Sequence, residues 1–105
     1  MKVLAISGSP RPQGNTRLLL ETALKVLEGH GIATEYLSLH GKDIRPCLAC
    51  MKCAKDKNRC AKEDDFMPVF EAMAVADGLL VGSPVYFGSA TPNLMALLDR
   101  AGYVA

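Results

Sequence analysis

Apolar residues follow two different periods along the chain. Residues 2–7 and 78–83 are short continuous apolar runs, a pattern typical of strands that are buried on both faces of a parallel sheet. Residues 33–39 alternate between apolar and polar side chains, as a half-exposed edge strand does. The sequence therefore predicts three strands.

Segments with helical periodicity lie between these strands and after the last one. Residues 15–28 place apolar side chains on one face and charged ones opposite. Asp64 and Asp65 are expected to open a second helix, since negative charge suits a helix N-terminus, and Thr91 is expected to cap a third that starts at Pro92. The residues predicted to face the core are Leu20, Ala23, Leu24 and Leu27, then Phe66, Val69, Phe70 and Met73, and finally Leu94, Leu97 and Leu98.

The order β-α-β-α-β-α predicts an α/β fold with parallel strands joined by right-handed crossovers. A sheet of three strands is small and leaves one edge unpaired, so something is expected to cover that edge. A second copy of the chain is the predicted cover, which makes the protein a homo-oligomer.

Composition narrows the class of protein. The 105 residues suit one domain, and 50% hydrophobic with 22% charged residues is the profile of a packed core. A net charge of +1 without basic runs argues against nucleic acid, and no apolar stretch is long enough to cross a membrane. We therefore expect the protein to be cytoplasmic. In that reducing compartment, clustered cysteines indicate metal ligands or redox thiols before disulfides.

The loop at residues 7–16 joins the first strand to the first helix. A helix N-terminus offers unpaired N–H groups and partial positive charge, so this loop can surround a phosphate. It matches neither the dinucleotide fingerprint nor the P-loop, and an ordinary strand-to-helix turn is the alternative. The candidate phosphate ligands are Ser9, Asn15 and Thr16 as side-chain donors, Arg11 as a charge and Gly14 for close backbone approach.

A second loop follows the third strand at residues 82–89. In a doubly wound sheet of order 2-1-3, the carboxyl ends of strands one and three are adjacent, so both loops face one crevice. Tyr86 and Phe87 offer a flat apolar surface, and the backbone around Gly88 can bond polar ring edges. A phosphate site beside such a surface predicts a mononucleotide, unless the two rings only pack the sheet edge.

Four cysteines, Cys47, Cys50, Cys53 and Cys60, follow the spacing C-x2-C-x2-C-x6-C. This spacing suits a 4Fe-4S cluster, and four thiolates also suit tetrahedral zinc. Thiols without metal are the third possibility. Nearby basic residues are expected to favour the thiolate form; they are Lys52, Lys55, Lys57 and Arg59.

The stretches SGSPRPQGNT, ADGLLVGSPVYFGS and LLDR, together with the cysteine segment, resemble the NADPH-dependent FMN reductases and iron-sulfur flavoproteins of the flavodoxin-like superfamily. The resemblance implies a three-layer α/β/α fold with a truncated parallel sheet of order 2-1-3, in which residues 1–105 are the N-terminal part of an FMN-binding domain with a cysteine-rich insertion at 44–62. It implies that Ser9, Arg11, Asn15 and Thr16 hold the FMN phosphate, and that Pro84, Val85, Tyr86, Phe87 and Gly88 line the isoalloxazine.

The predicted function is therefore an FMN-binding redox protein of the FMN reductase or iron-sulfur flavoprotein type. Its electron donor is NAD(P)H or a reduced carrier, and a 4Fe-4S cluster is the first of the three candidates for the cysteines. No residue stands out as a catalytic acid or base. The chain ends short of the five strands that the resemblance implies, so part of the pocket is expected to be missing. The alternatives are a small electron carrier without substrate turnover and a metal-binding half-domain that dimerises and has lost flavin.

Overall fold

The computed structural model describes residues 1–55, 59–61 and 63–105. Three strands form one parallel sheet in the order β2-β1-β3. The chain therefore has the predicted α/β class and strand order. In sequence the elements are β1 (Lys2–Ser7), α1 (Asn15–Gly29), β2 (Ala33–Ser38), a 3-10 turn (Lys52–Ala54), α2 (Phe66–Val75), β3 (Gly78–Gly82) and α3 (Pro92–Val104).

The register aligns the carboxyl ends of the three strands. Ser7, the last residue of β1, lies opposite Ser38 of β2 and Gly82 of β3. The loops that follow β1 and β3 therefore leave the sheet side by side, which is the arrangement that a ligand site at this edge requires.

Helices cover both faces of the sheet, which confirms the three-layer architecture. Because successive strand residues point to opposite faces, β1 contributes to two cores. Val3 and Ala5 pack with Leu20 and Leu24 of α1. On the other face, Leu4 and Ile6 of β1 are buried with side chains of α2 and α3, namely Phe66, Val69, Phe70, Leu94, Ala96, Leu97, Ala101 and Val104.

Two predicted details of α3 are wrong. Leu98 was expected to face the core, but its side chain is 38% exposed. Thr91 precedes α3 without a side-chain capping bond; its hydroxyl instead donates to the carbonyl oxygen of Gly8 at 2.7 Å. Thr91 thus joins α3 to the loop after β1, because Gly8 offers its hydroxyl a partner across the sheet edge.

The cysteine-rich segment at residues 44–62 is mostly loop. Its described part contains the 3-10 turn and the buried side chain of Ile44. Residues 56–58 and 62, which include the predicted thiolate neighbour Lys57, lie outside the described residues.

β2 and β3 are the two edge strands, and among the described residues each pairs only with β1. The prediction that residues 78–83 are buried on both faces is wrong, because Leu79 and Val81 of β3 are 44% and 45% exposed. No helix in the described part of the chain has both the length and the apolar character needed to cross a membrane.

Candidate functional site

The loop after β1 is shaped by its own serine side chains. Ser7 Oγ accepts a hydrogen bond from the Ser9 amide at 3.2 Å, and Ser9 Oγ accepts one from the Arg11 amide at 3.1 Å. Such side-chain-to-backbone bonds fix a turn locally. They hold residues 7–11 in a defined turn between β1 and α1.

The same loop is fastened to both neighbouring strands. The Gly8 amide donates to Gly82 O at 2.9 Å, and the Gly8 carbonyl accepts the Thr91 hydroxyl. On the β2 side, His40 Nδ1 donates to Pro10 O at 2.7 Å. Sequence reasoning did not identify these contacts, because Thr91 and His40 are distant in sequence from the loop.

Two glycines of the loop differ in what surrounds them. A Cβ on Gly8 would lie 2.7 Å from Thr91 Oγ1 and 2.8 Å from Leu94 Cβ, closer than real contacts allow. A Cβ on Gly14 would meet nothing nearer than Arg11 Cβ at 3.8 Å, and the Gly14 backbone is extended, with a φ of −176°. Packing therefore requires glycine at position 8 but not at position 14.

The N-terminus of α1 is open to an anion. No side chain caps it, its first turn holds no acidic residue, and its first backbone hydrogen bond runs from the Leu18 amide to Gly14 O at 3.1 Å. The preceding amides of the first turn have no carbonyl partner within the helix. These N–H groups and the positive end of the helix dipole favour negative charge at this point.

The loops after β1 and β3 enclose one crevice with a volume of about 230 Å³. It lies at the carboxyl ends of β1 and β3, where the register brings the two loops together. Seven predicted cofactor residues line it: Ser9, Arg11, Gly14, Asn15, Thr16, Pro84 and Tyr86. The other three, Val85, Phe87 and Gly88, do not line this crevice and lie beside it.

Phe87 and Gly88 form the tip of a tight turn. The Tyr86 amide donates to Ser89 O at 2.7 Å, and the Ser89 amide donates back to Tyr86 O at 3.0 Å. Both central residues are left-handed, with φ of 51° at Phe87 and 77° at Gly88. The Phe87 side chain is fully exposed. A bulky residue in this conformation costs free energy and gains no burial in return, a combination that marks functional sites.

The four cysteines are brought to one cavity. Cys47, Cys50, Cys53 and Cys60 are free thiols, and all line an apolar cavity of about 40 Å³ between the cysteine segment and the end of α3. Within the described residues, no three Cys, His, Asp or Glu side chains come close enough together to hold a single metal ion.

Three of these sulfurs have hydrogen-bond partners. The Ala49 amide donates to Cys47 Sγ at 3.4 Å, and the Cys53 thiol donates to Tyr103 O at 3.7 Å. Arg100 Nη2 donates to Cys60 Sγ at 3.4 Å. The hydrogen bond to Cys60 therefore comes from a charged group, the Arg100 guanidinium.

Arg100 is a functional candidate that sequence reasoning missed. Its side chain is 1% exposed, and Nη1 donates to Asp64 Oδ2 at 2.7 Å and to Arg45 O at 3.1 Å. The signal was present in the sequence, because position 100 falls on the apolar face of α3, between the buried Leu97 and Val104. A charged residue on such a face needs a buried partner.

Burial and hydrogen bonding shift the pKa values of this ion pair in opposite directions. Burial favours the uncharged form of both side chains. Hydrogen bonds to Asp64 from Arg100 and from the amides of Arg45 and Phe66 outweigh it and lower the Asp64 pKa to about 2. Hydrogen bonds to Asp64 and Cys60 likewise outweigh burial at Arg100 and raise the pKa of its guanidinium. The pair is therefore fully charged at neutral pH.

A parallel sheet of order 2-1-3 with helices on both faces and a crevice at the switch point between β1 and β3 is the arrangement of a flavodoxin-like domain. The family of NADPH-dependent FMN reductases matches residues 1–105, so the chain belongs to this family. The family match supports an FMN-binding redox function of the predicted class.

Several iron-sulfur flavoproteins are similar in sequence to this chain. An iron-sulfur flavoprotein of Methanocaldococcus jannaschii is 46% identical over 101 residues, covering 96% of this chain and 52% of the relative. One of Methanosarcina thermophila is 38% identical, with the same two coverages. The chain therefore spans about half the length of these relatives. The crystal structure of RosB with a bound 8-demethyl-8-formylriboflavin-5'-phosphate intermediate superposes with a TM-score of 0.79 at 21% identity, covering 97% of this chain and 42% of RosB, which confirms the fold.

Proposed function

We propose that this chain supplies the FMN phosphate site and one face of the flavin pocket of an oxidoreductase. The observation that carries the proposal is the open crevice between the loops after β1 and β3, lined by residues of both. If the first loop were only a turn, its side chains could fold over the start of α1. Instead that helix end is uncapped and free of acidic residues.

The residues present fit the phosphate of FMN. The amides of the first turn of α1, the hydroxyl of Thr16 and the amide group of Asn15 supply donors. Arg11 lies on the crevice and joins no ion pair among the described residues, so its charge is available to an anion. Gly14 leaves room for close backbone approach.

The second loop fits a planar ring. Tyr86 and Pro84 line the crevice, and the exposed Phe87 ring stands next to them on the tight turn. Aromatic side chains pack against flat heterocycles, so we assign the isoalloxazine to the surface made by Pro84, Val85, Tyr86, Phe87 and Gly88. Bound FMN supplies hydride and electron-transfer chemistry, and the chain positions it and excludes water from one ring face.

We further propose that the four cysteines hold a 4Fe-4S cluster. All four cysteines line one apolar cavity, and the matched relatives are iron-sulfur flavoproteins by name. A tetrahedral zinc ion needs sulfurs about 3.8 Å apart, as follows from a Zn–S distance of about 2.3 Å. A cubane binds each thiolate at a different iron and so separates them further. Cysteines that surround a cavity without meeting at one point suit the cluster better.

The proposed reaction is electron transfer from NAD(P)H to an acceptor, with this chain binding and orienting the flavin. Free thiols at all four cysteines agree with the reducing environment of the cytoplasm, where we place the protein. The open β3 edge, with Leu79 and Val81 half exposed, favours a homo-oligomer. Light scattering tests this last point, since a monomer at micromolar concentration would contradict it.

Visible absorption of the protein purified without oxygen tests the redox assignment. We expect flavin bands that bleach on reduction, together with a broad iron-sulfur band. Replacement of Cys47 and Cys50 by serine removes the broad band and leaves the flavin bands. Protein that stays colourless when FMN is added would contradict the flavin assignment; flavin bands alone, with zinc found by metal analysis, would contradict the cluster.

A further inference from the structure

Arg100 has a fixed direction toward one cysteine. Its guanidinium is held by Asp64 Oδ2 and Arg45 O through Nη1, and its carbon lies 4.3 Å from the centre of the Phe66 ring. Because the guanidinium is planar and rigid, holding Nη1 and one face also sets where Nη2 points. Nη2 points at Cys60 Sγ, 3.4 Å away.

Stability alone does not account for this arrangement. A buried ion pair pays a large desolvation cost, and apolar side chains of similar volume are often as stabilising. Arg100 and Asp64 have side chains that are 1% and 0% exposed, so both bear this cost in full. An apolar residue at position 100 would fit the apolar face of α3. It would not supply a donor to the sulfur.

Cys60 is the cysteine that most needs an external support. Only two residues separate each of Cys47, Cys50 and Cys53 from the next, whereas six residues separate Cys53 from Cys60. Its amide donates to Met67 Sδ at 3.5 Å, and its sulfur accepts from Arg100. The side-chain direction of Cys60 is thus set by a residue that is forty positions away in sequence.

We propose that Arg100 is a positioning residue that aims Cys60 Sγ into the cysteine-lined cavity and donates a charge-assisted hydrogen bond to it as a metal ligand. The proposal rests on the proposed function, in which these cysteines bind a cluster. Partners of this kind orient metal ligands, and hydrogen bonds to ligating sulfurs raise the reduction potential of iron-sulfur clusters.

Substitution of Arg100 by lysine separates positioning from general support. Lysine keeps the positive charge beside Asp64. It lacks the planar guanidinium that donates to Asp64 and to the Cys60 sulfur simultaneously. Arg45→Lys is the matched control, because the Arg45 side chain is exposed and pairs with Asp43 while only its backbone oxygen contacts Arg100.

The first readout is the affinity of the full chain for its cluster after reconstitution with ferrous iron and sulfide, measured as the chelator concentration that removes half of the iron-sulfur absorption. We expect Arg100→Lys to lose its cluster at a chelator concentration about 10- to 100-fold lower than wild type, the usual effect of losing such a partner. Arg45→Lys should keep its cluster as wild type does. The second readout is the midpoint potential of the reconstituted cluster, which should become more negative in Arg100→Lys. A purely structural role of Arg100 would lower the melting temperature and leave this potential unchanged.

A double-substitution cycle with Cys60→Ser covers the case in which Arg100→Lys folds poorly. Cys60→Ser keeps the ion pair and leaves three thiolates for the cluster. If Arg100 acts through Cys60, Arg100→Lys adds no further loss of cluster affinity in the Cys60→Ser background. Equal losses in both backgrounds would overturn the proposal. Wild-type chain that binds no cluster would overturn it together with the cluster assignment, whereas wild-type binding with an unaffected Arg100→Lys overturns the positioning role alone.

Discussion

The Thr91 hydroxyl donates to the carbonyl oxygen of Gly8 at 2.7 Å and so joins the start of α3 to the loop that precedes α1. Both residues are buried. The bond connects the two halves of the proposed flavin site, because one loop leads from β1 and the other ends at Thr91. The crevice therefore depends on a contact between residues far apart in sequence.

Replacing Thr91 by valine removes this bond and leaves a buried carbonyl without its partner. We expect the free energy of unfolding to fall by about 1–3 kcal/mol, measured by urea denaturation. Thr22→Val is the matched control, because the Thr22 hydroxyl bonds Leu18 O on an exposed part of α1. If both variants lose the same stability, the Gly8 contact has no special role.

The two loop glycines should respond differently to alanine. Gly8→Ala forces a methyl group against Thr91 and Leu94, and overpacking of this kind costs about 1–3 kcal/mol. Gly14→Ala meets only open space and ordinary contact with Arg11, so it should cost no more than about 1 kcal/mol, the preference of an N-cap position for glycine over alanine. Its FMN affinity should nevertheless fall. A Gly14→Ala variant that binds FMN normally would show that the ligand does not approach this backbone.

Phe87 offers a test of stability against function. Its φ of 51° is unfavourable for phenylalanine and well tolerated by asparagine, and its exposed ring contributes no burial. Phe87→Asn should therefore raise the free energy of unfolding by up to about 1 kcal/mol. If the ring contacts flavin, FMN binding weakens in the same variant. Loss of stability with unchanged FMN affinity would contradict both parts of this interpretation.

Acid should weaken the contact between Arg100 and Asp64. The Asp64 pKa is about 2 in the folded chain and near 3.8 when unfolded, so the unfolded state takes up the proton first as the pH falls. The stability that this shift contributes, about 2 kcal/mol, is present above pH 4 and is lost as the pH falls toward 2. The Asp64→Asn variant lacks this pH-dependent contribution to the free energy of unfolding.

Urea denaturation at pH 7, 4 and 2.5 measures the difference between wild type and Asp64→Asn. The difference should shrink at the lowest pH. Asp43→Asn serves as control, since Asp43 forms an exposed ion pair with Arg45 that contributes little. A constant difference between wild type and Asp64→Asn over the three pH values would show that Asp64 keeps the same pKa on unfolding.

The sequence predicted the fold well because the fold depends on local patterns. The strands at residues 2–7 and 78–83 are apolar runs, and the switch from strand to helix at Asn15 places the first loop at the carboxyl edge of the sheet. The observed helix and strand ends lie within one residue of those predicted, apart from α2, which begins at Phe66 after its two aspartates.

The contacts that hold the site together could not be read from local patterns. Asp64 was interpreted as a helix start, and its Oδ1 does accept the Phe66 amide at 3.1 Å. Its Oδ2 pairs with Arg100, 36 residues away, and no periodicity indicates such a pair. Thr91 was likewise expected to act locally as a cap. Polar side chains with several possible partners take the one that tertiary packing presents.

The central claim is that the start of α1 and Arg11 bind the phosphate of FMN, and a comparison of FMN with riboflavin tests it most directly. Isothermal titration of the full chain should give tighter binding of FMN. Arg11→Gln should weaken FMN binding about 10-fold or more, as expected for a charge-assisted hydrogen bond, and leave riboflavin unchanged. Lys25→Gln, an equal loss of charge on the exposed part of α1, should alter neither. Equal affinity of wild-type chain for FMN and riboflavin would contradict the claim.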